Sequence, residues 1–163
     1  MIRPLLSAAA LALALAACGP SAPATSETAS TAAPAAAVAA EPTPEEIAAA
    51  VAALPAPYTE ANYDNGKRNF AQCRSCHTFE EGAGNRVGPN LHGVFGREVG
   101  SVEGFSYSQA VQDADFTWDA DRLDHWLANP RTFLPGNRMA FIGIRDEAQR
   151  RDLIAYLMIE TSR

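Results

Sequence analysis

The sequence predicts an all-α fold confined to the chain after Tyr58, and three observations carry that expectation. Every Trp, Tyr and Phe falls at Tyr58 or later, so only that part can build a core of any size. Residues 63–72 read as helical, and a long apolar run closes the chain over residues 153–159. Between them stands Cys73-Arg74-Ser75-Cys76-His77, whose cysteines at i and i+3 share one side of a helical turn. The expected elements are an N-terminal helix through Cys73–His77, short helices at residues 106–112 and 120–128, and a C-terminal helix over 146–161.

The segment before the fold begins with an address. Arg3 supplies a positive charge, and the Leu/Ala run from Leu5 to Ala17 is shorter than the ~20 residues of a membrane-spanning helix. Residues 1–17 therefore read as an export signal. The run ends Leu15-Ala16-Ala17-Cys18, which resembles the bacterial lipoprotein signal, where cleavage before the cysteine frees its thiol for lipid. Cys18 is the expected lipid-attachment residue, and the protein is expected on the periplasmic side of a bacterial membrane. Cleavage at a neighbouring Ala-x-Ala site is the alternative, and would leave it soluble in the periplasm.

Residues 18–57 are the expected linker. Ala, Pro, Thr and Ser dominate it, and such a composition buries too little apolar surface to offset chain entropy. One short helix is expected within it at residues 44–54: Thr43 as N-cap, Pro44 at the first helical position, and Glu46 completing a T-x-x-E capping box. Ile47, Val51 and Leu54 share a face, enough to rest on a domain but not to stand alone. Residues 58–163 are the expected domain.

Charge narrows the partners. A net charge of −6 argues against nucleic acid, which favours a dense Lys/Arg surface. Three cysteines are an odd number, so a disulfide framework cannot account for all of them.

The chemistry centres on the CxxCH sequence, the attachment pattern of a c-type haem. Each thiol can reach one haem vinyl group to form a thioether, and His77 then points its ring at the iron. A thioredoxin-like dithiol would follow a strand, whereas the residues before Cys73 read as helical. A structural zinc site needs four ligands, and only His92 and His125 remain, at no recognisable ligand spacing. For the sixth iron position the candidates are Met139, His92 and His125. Met139 is favoured because Pro135-Gly136-Asn137-Arg138 is a turn sequence able to hold a thioether in a fixed pose. Met158 lies in the apolar C-terminal run and reads as packing.

Five further motifs come in order: Gly66 and Phe70 before the CxxCH, then GPNLHGVFGR (88–97), GFSYSQA (104–110), NPRTFLPGNRM (129–139) and DLIAYL (152–157). Together they resemble the class I c-type cytochromes, of the mitochondrial type and its closest bacterial relatives, from about Gly66 to the C-terminus. The resemblance implies helices wrapped around one covalent haem c. It implies that Pro89 offers its carbonyl to the His77 ring, that Met139 closes the sixth position, and that Arg97, Tyr107 and Trp118 hold or neutralise a haem propionate. It also implies that Gly66 and Phe70 cross against Leu153 and Tyr156.

The implied function is that of a monomeric single-electron carrier, not an enzyme, in a respiratory or photosynthetic chain. The implied donor is a cytochrome bc complex and the implied acceptor a terminal oxidase. An enzyme with an open sixth position is the competing reading, and the Met139 loop argues against it. The sequence departs from the mitochondrial pattern in several places. Phe70 lies three residues before Cys73 instead of four, so the first helix must adjust its phase. Trp126 and Asn137 stand where tyrosine and threonine are common. The family's lysine ring is reduced, with Arg86, Arg131, Arg138 and Arg145 left to form a positive face.

Overall fold

The computed structural model describes residues 41–163. The expected signal at 1–17, Cys18 and the first part of the linker lie outside the described residues. Among the described residues six α-helices follow one another: α1 (Pro44–Ala52), α2 (Tyr63–Phe70), α3 (Gln109–Gln112), α4 (Ala120–Ala128), α5 (Pro130–Phe133) and α6 (Glu147–Glu160). A single 3-10 turn, Tyr58–Glu60, joins α1 to α2. Among the described residues extended pairing is limited to one antiparallel bridge between Glu98 and Thr117.

The chain caps its helices with its own side chains. Thr43 Oγ1 accepts from the Glu46 N–H at 3.2 Å while the Glu46 carboxylate accepts from the Thr43 N–H at 2.8 Å. Asn62, Asp119, Asn129 and Asp146 cap α2, α4, α5 and α6 in turn, each accepting from a backbone N–H three residues on. Pro130 sits in the first turn of α5, where its missing N–H costs nothing. Ile47, Val51 and Leu54 pack against the core, so the compact unit takes in α1 and reaches upstream of the boundary expected at Tyr58.

Helix α6 is the spine. Leu153, Ile154 and Ala155 are fully buried, and α2, α4, α1 and the 3-10 turn all pack on it. Full burial of a Leu or Ile side chain stabilises by about 1.5–3 kcal/mol, so this run anchors the fold. Where α2 crosses α6, Gly66 lies so close that a Cβ there would stand 2.2 Å from the Asp152 carbonyl oxygen and 2.6 Å from Tyr156 Cβ. Phe70 packs beside it against Tyr156 and Phe79, with ring centroids 5.4 and 5.2 Å away. The buried Asp152 carboxylate accepts from the Asn62 N–H at 2.9 Å and from Asn65 Nδ2 at 2.6 Å, and its negative charge faces the N-terminus of α2. A bidentate Arg150–Asp124 pair, at 2.7 and 3.2 Å, joins α6 to α4.

The same crossing gives the domain an alkaline limit. Burial pushes the Tyr63 and Tyr156 phenols up, Tyr156 to about 12, and for Tyr63 the Glu160 carboxylate it donates to at 2.7 Å adds to the effect. Both folded values lie above the ordinary phenol value of 10.0, so their contribution is whole below that pH and is lost as pH rises through the folded values. Tyrosinate absorbance should therefore lag behind that of a free phenol and rise together with the loss of helical circular dichroism. Tyrosinate titrating near pH 10 in a still-helical protein would contradict this.

One expectation is corrected. The first helix does not run through Cys73–His77 but ends at Phe70, with Ala71 to Cys76 in tight turns. The backbone tightens there: the Ala71 N–H donates to Arg68 O at 3.2 Å and the Cys73 N–H to Phe70 O at 2.8 Å, i to i+3 bonds that close the helix. The helix expected at residues 106–112 is a single turn, Gln109–Gln112, and α5 was not expected.

Candidate functional site

The turn after α2 sets the two cysteines. The Cys73 N–H donates to Phe70 O at 2.8 Å, and the Cys76 and His77 N–H groups both donate to Cys73 O, at 3.0 and 2.9 Å. These i to i+3 and i to i+4 closures keep the turn that carries both cysteines tight although the helix has ended. Both are free and half-buried.

His77 is held from the opposite strand of chain. The Gly88 N–H donates to Cys76 O and the Leu91 N–H to Thr78 O, each at 2.8 Å, which lays residues 88–91 along the motif. His77 Nδ1 lies 2.7 Å from Pro89 O. A carbonyl can only accept, so Nδ1 carries the proton and Nε2 is left with a free lone pair, the state of an imidazole ready to bind a metal. Burial lowers the His77 pKa and the Pro89 bond opposes it.

Gly88 makes the approach possible, since a Cβ there would stand 2.3 Å from His77 Cε1. Asn90 ties the two stretches together. Its Nδ2 reaches Ala83 O at 2.8 Å, Thr78 Oγ1 at 2.9 Å and Glu80 O at 3.0 Å, while its Oδ1 accepts from the His92 N–H at 2.6 Å. Sequence reasoning assigned neither residue a role.

Burial, followed by the neighbouring Cys76, pushes the Cys73 thiol up to about 11, the reverse of the low value a redox dithiol requires. No cluster of three or more His, Cys, Asp or Glu able to hold a metal ion occurs among the described residues.

Arg97, Tyr107 and Trp118 are brought together. The Trp118 N–H donates to Arg97 O at 2.8 Å and the Gly96 N–H to Trp118 O at 2.7 Å, beside the Glu98–Thr117 bridge. Arg97 is half-buried, its guanidinium donating to His92 O at 2.7 Å and Asn90 O at 3.1 Å. Burial lowers its pKa, nearby Tyr107 works against that, and burial raises the Tyr107 phenol. Next to Tyr107, the Ser108 hydroxyl is buried and has no hydrogen-bond partner. A half-buried arginine close to a phenol suits an acidic group brought in from outside the chain.

Met139 follows α5 in a loop and is half-buried. Its N–H donates to Asn137 Oδ1 at 2.9 Å, and the Arg138 guanidinium next to it donates to Ser106 O, bringing the loop against the Tyr107 segment. His125 is exposed on α4 and lines a carboxylate-rich depression of about 470 Å³ with Tyr58, Asp121, Asp124 and Glu147. Met158 packs on the core from α6. His92 has a buried Nδ1 with no partner, while its carbonyl serves Arg97. Two thiols on one turn, an oriented imidazole and a half-buried arginine close to a phenol form a donor set that fits a c-type haem.

Comparison with known proteins gives the same direction. No family model matches the chain. Cytochrome c of Stellaria longipes is 45% identical to it over 105 residues, 64% of this chain and 97% of its own length. Cytochrome c of Kluyveromyces lactis is 41% identical over 106 residues, 64% of this chain and 96% of its own. Among solved structures, cytochrome cH from Methylobacterium extorquens is 40% identical and superposes with a TM-score of 0.57, covering 61% of this chain and 99% of its own.

Proposed function

This chain belongs to the cytochrome c family, and from that premise we propose that it is a single-electron carrier between membrane complexes of a respiratory or photosynthetic chain, its iron held by His77 and Met139. It carries one covalently bound haem c, which supplies the one-electron chemistry by cycling its iron between ferrous and ferric states. The protein transfers electrons and transforms no substrate. One observation carries the reading: the His77 ring is locked by Pro89 at 2.7 Å with its other nitrogen free, one residue after the second of two thiols on the same turn.

Each residue then has a task. Cys73 and Cys76 would form the thioethers, and His77 the first axial bond, with Pro89 fixing its tautomer. Met139 would supply the second axial bond; a soft thioether favours ferrous iron and raises the potential. Arg97, Tyr107, Trp118 and the Ser108 hydroxyl would receive the propionates, whose burial without partners would be costly.

Docking would be weak and fast, steered by charge. Arg86, Arg131, Arg138 and Arg145 are all exposed and offer the positive groups. We assign a cytochrome bc complex as donor and a terminal oxidase as acceptor, with the carrier acting as a monomer. No described helix is long and apolar enough to cross a membrane. Lipid on Cys18, on the periplasmic side of a bacterial membrane, is the anchor we propose.

Met139→Ala tests the ligand set. It should abolish the weak near-infrared sulfur-to-iron band, lower the potential and bring out peroxidase activity at the opened iron. An unchanged spectrum and potential would assign the sixth ligand elsewhere.

A further inference from the structure

We propose that Asn137 is a positioning residue that holds the Met139 loop in its ligating shape, an inference that rests on Met139 being the sixth ligand. Asn137 is half-buried two residues before Met139. Its Nδ2 donates to Pro130 O and to Leu134 O, both at 2.8 Å, and its Oδ1 accepts from the Met139 N–H at 2.9 Å. The partners fix the amide's orientation, because two carbonyls can only accept and a backbone N–H can only donate.

One side chain thus fastens three backbone points: the first residue of α5, the residue that ends it, and Met139 itself. The other ties of this loop do something different. Arg138 latches it outward to Ser106 O, and the Ile144 N–H closes its far end on Leu127 O at 2.8 Å. Among the described residues only Asn137 bonds to the backbone of Met139. Holding that N–H fixes the direction in which the side chain leaves the chain, so the thioether is ordered before it meets the iron.

The amide is suited to this in a way that a hydroxyl is not. Threonine at this position could accept from Met139 and donate to one of the two carbonyls, giving up one of the amide's three side-chain bonds. Aspartate could accept from Met139 but would bring a carboxylate against two carbonyl oxygens. Alanine would lose all three bonds.

The test is imidazole binding to the ferric full-length holoprotein, where imidazole competes with Met139 for the iron. Asn137→Ala should bind imidazole on the order of tenfold more tightly than the parent and show a weakened sulfur-to-iron band, with Asn137→Thr between the two. In a Met139→Ala background there is no thioether to displace, so adding Asn137→Ala should leave imidazole affinity unchanged. That loss of effect separates positioning from general destabilisation. Where Asn137→Ala does not fold, Asn137→Thr carries the same comparison.

Unchanged imidazole affinity in folded Asn137 variants, with Met139→Ala still binding more tightly, would overturn the proposal. An equal gain in both backgrounds would also overturn it, since Asn137 would then act on the fold and not through Met139. If Met139→Ala itself leaves band and affinity unchanged, it is the ligand assignment that fails.

Discussion

Gly66→Ala is expected to leave a domain that is largely unfolded or severely destabilised. Its new Cβ would lie 2.2 Å from a backbone oxygen of α6 and 2.6 Å from Tyr156 Cβ, both far inside contact distance. A flexible side chain could swing away, but the Asp152 carbonyl is part of a helix and cannot. Relief would require α2 to move off α6, which would stretch the Asn62 and Asn65 bonds to Asp152 and loosen Phe70 from Tyr156 and Phe79. Overpacking a core usually costs about 1–3 kcal/mol, and with a backbone neighbour the cost should reach or exceed the top of that range. Against a total stability of roughly 5–15 kcal/mol, that is a large share for a domain of this size. Denaturant unfolding followed by helical circular dichroism measures it. A midpoint within error of the parent would mean that the helices do not cross as described.

Replacing Cys73 and Cys76 together with alanine is expected to abolish covalent haem. The tight turn that presents them is made by backbone bonds to Phe70 and Cys73, so the substitutions remove the two sulfurs while leaving their scaffold. His77 and its Pro89 partner would remain, giving at most a reversible haem complex. The domain itself should loosen, because the buried macrocycle supplies much of the apolar area in a core this small. Haem staining after denaturing electrophoresis should fall to background for the double variant and persist more weakly for either single one. Retention of normal covalent haem by the double variant would remove Cys73 and Cys76 from the site.

The elements whose signals are local were legible in the sequence. Asp119 and Asp146 announce the starts of α4 and α6, and Cys73-Arg74-Ser75-Cys76-His77 carries its chemistry in its spacing. The end of α2 at Phe70 was not legible, because the tightened bonds of Ala71 and Cys73 that close the helix involve only backbone groups. The α5 turn has its cap and proline in Asn129-Pro130, but a single turn is too short to carry a periodic signal.

Gly88, Asn90, Ser108 and Asn137 were not legible as functional residues for a different reason. Gly88 is demanded by the ring of His77, a contact made across a loop. Asn90 and Asn137 act on backbone carbonyls and amides, which every residue possesses and no motif marks. Ser108 matters because its hydroxyl is buried without a partner, which only the packed chain reveals. Helix α1 shows the limit from the other side: its capping box was readable, but three apolar residues could not tell whether it docked.

The most direct measurement of the central claim is the intact mass of the protein extracted from its native membrane under denaturing conditions. The expected mass is that of the chain beginning at Cys18 plus one haem, increased further by the lipid on Cys18. A haem-containing mass without lipid would leave the electron carrier standing and remove its anchor. A mass equal to the polypeptide alone would contradict a covalent haem on Cys73 and Cys76, and with it the function proposed for this chain.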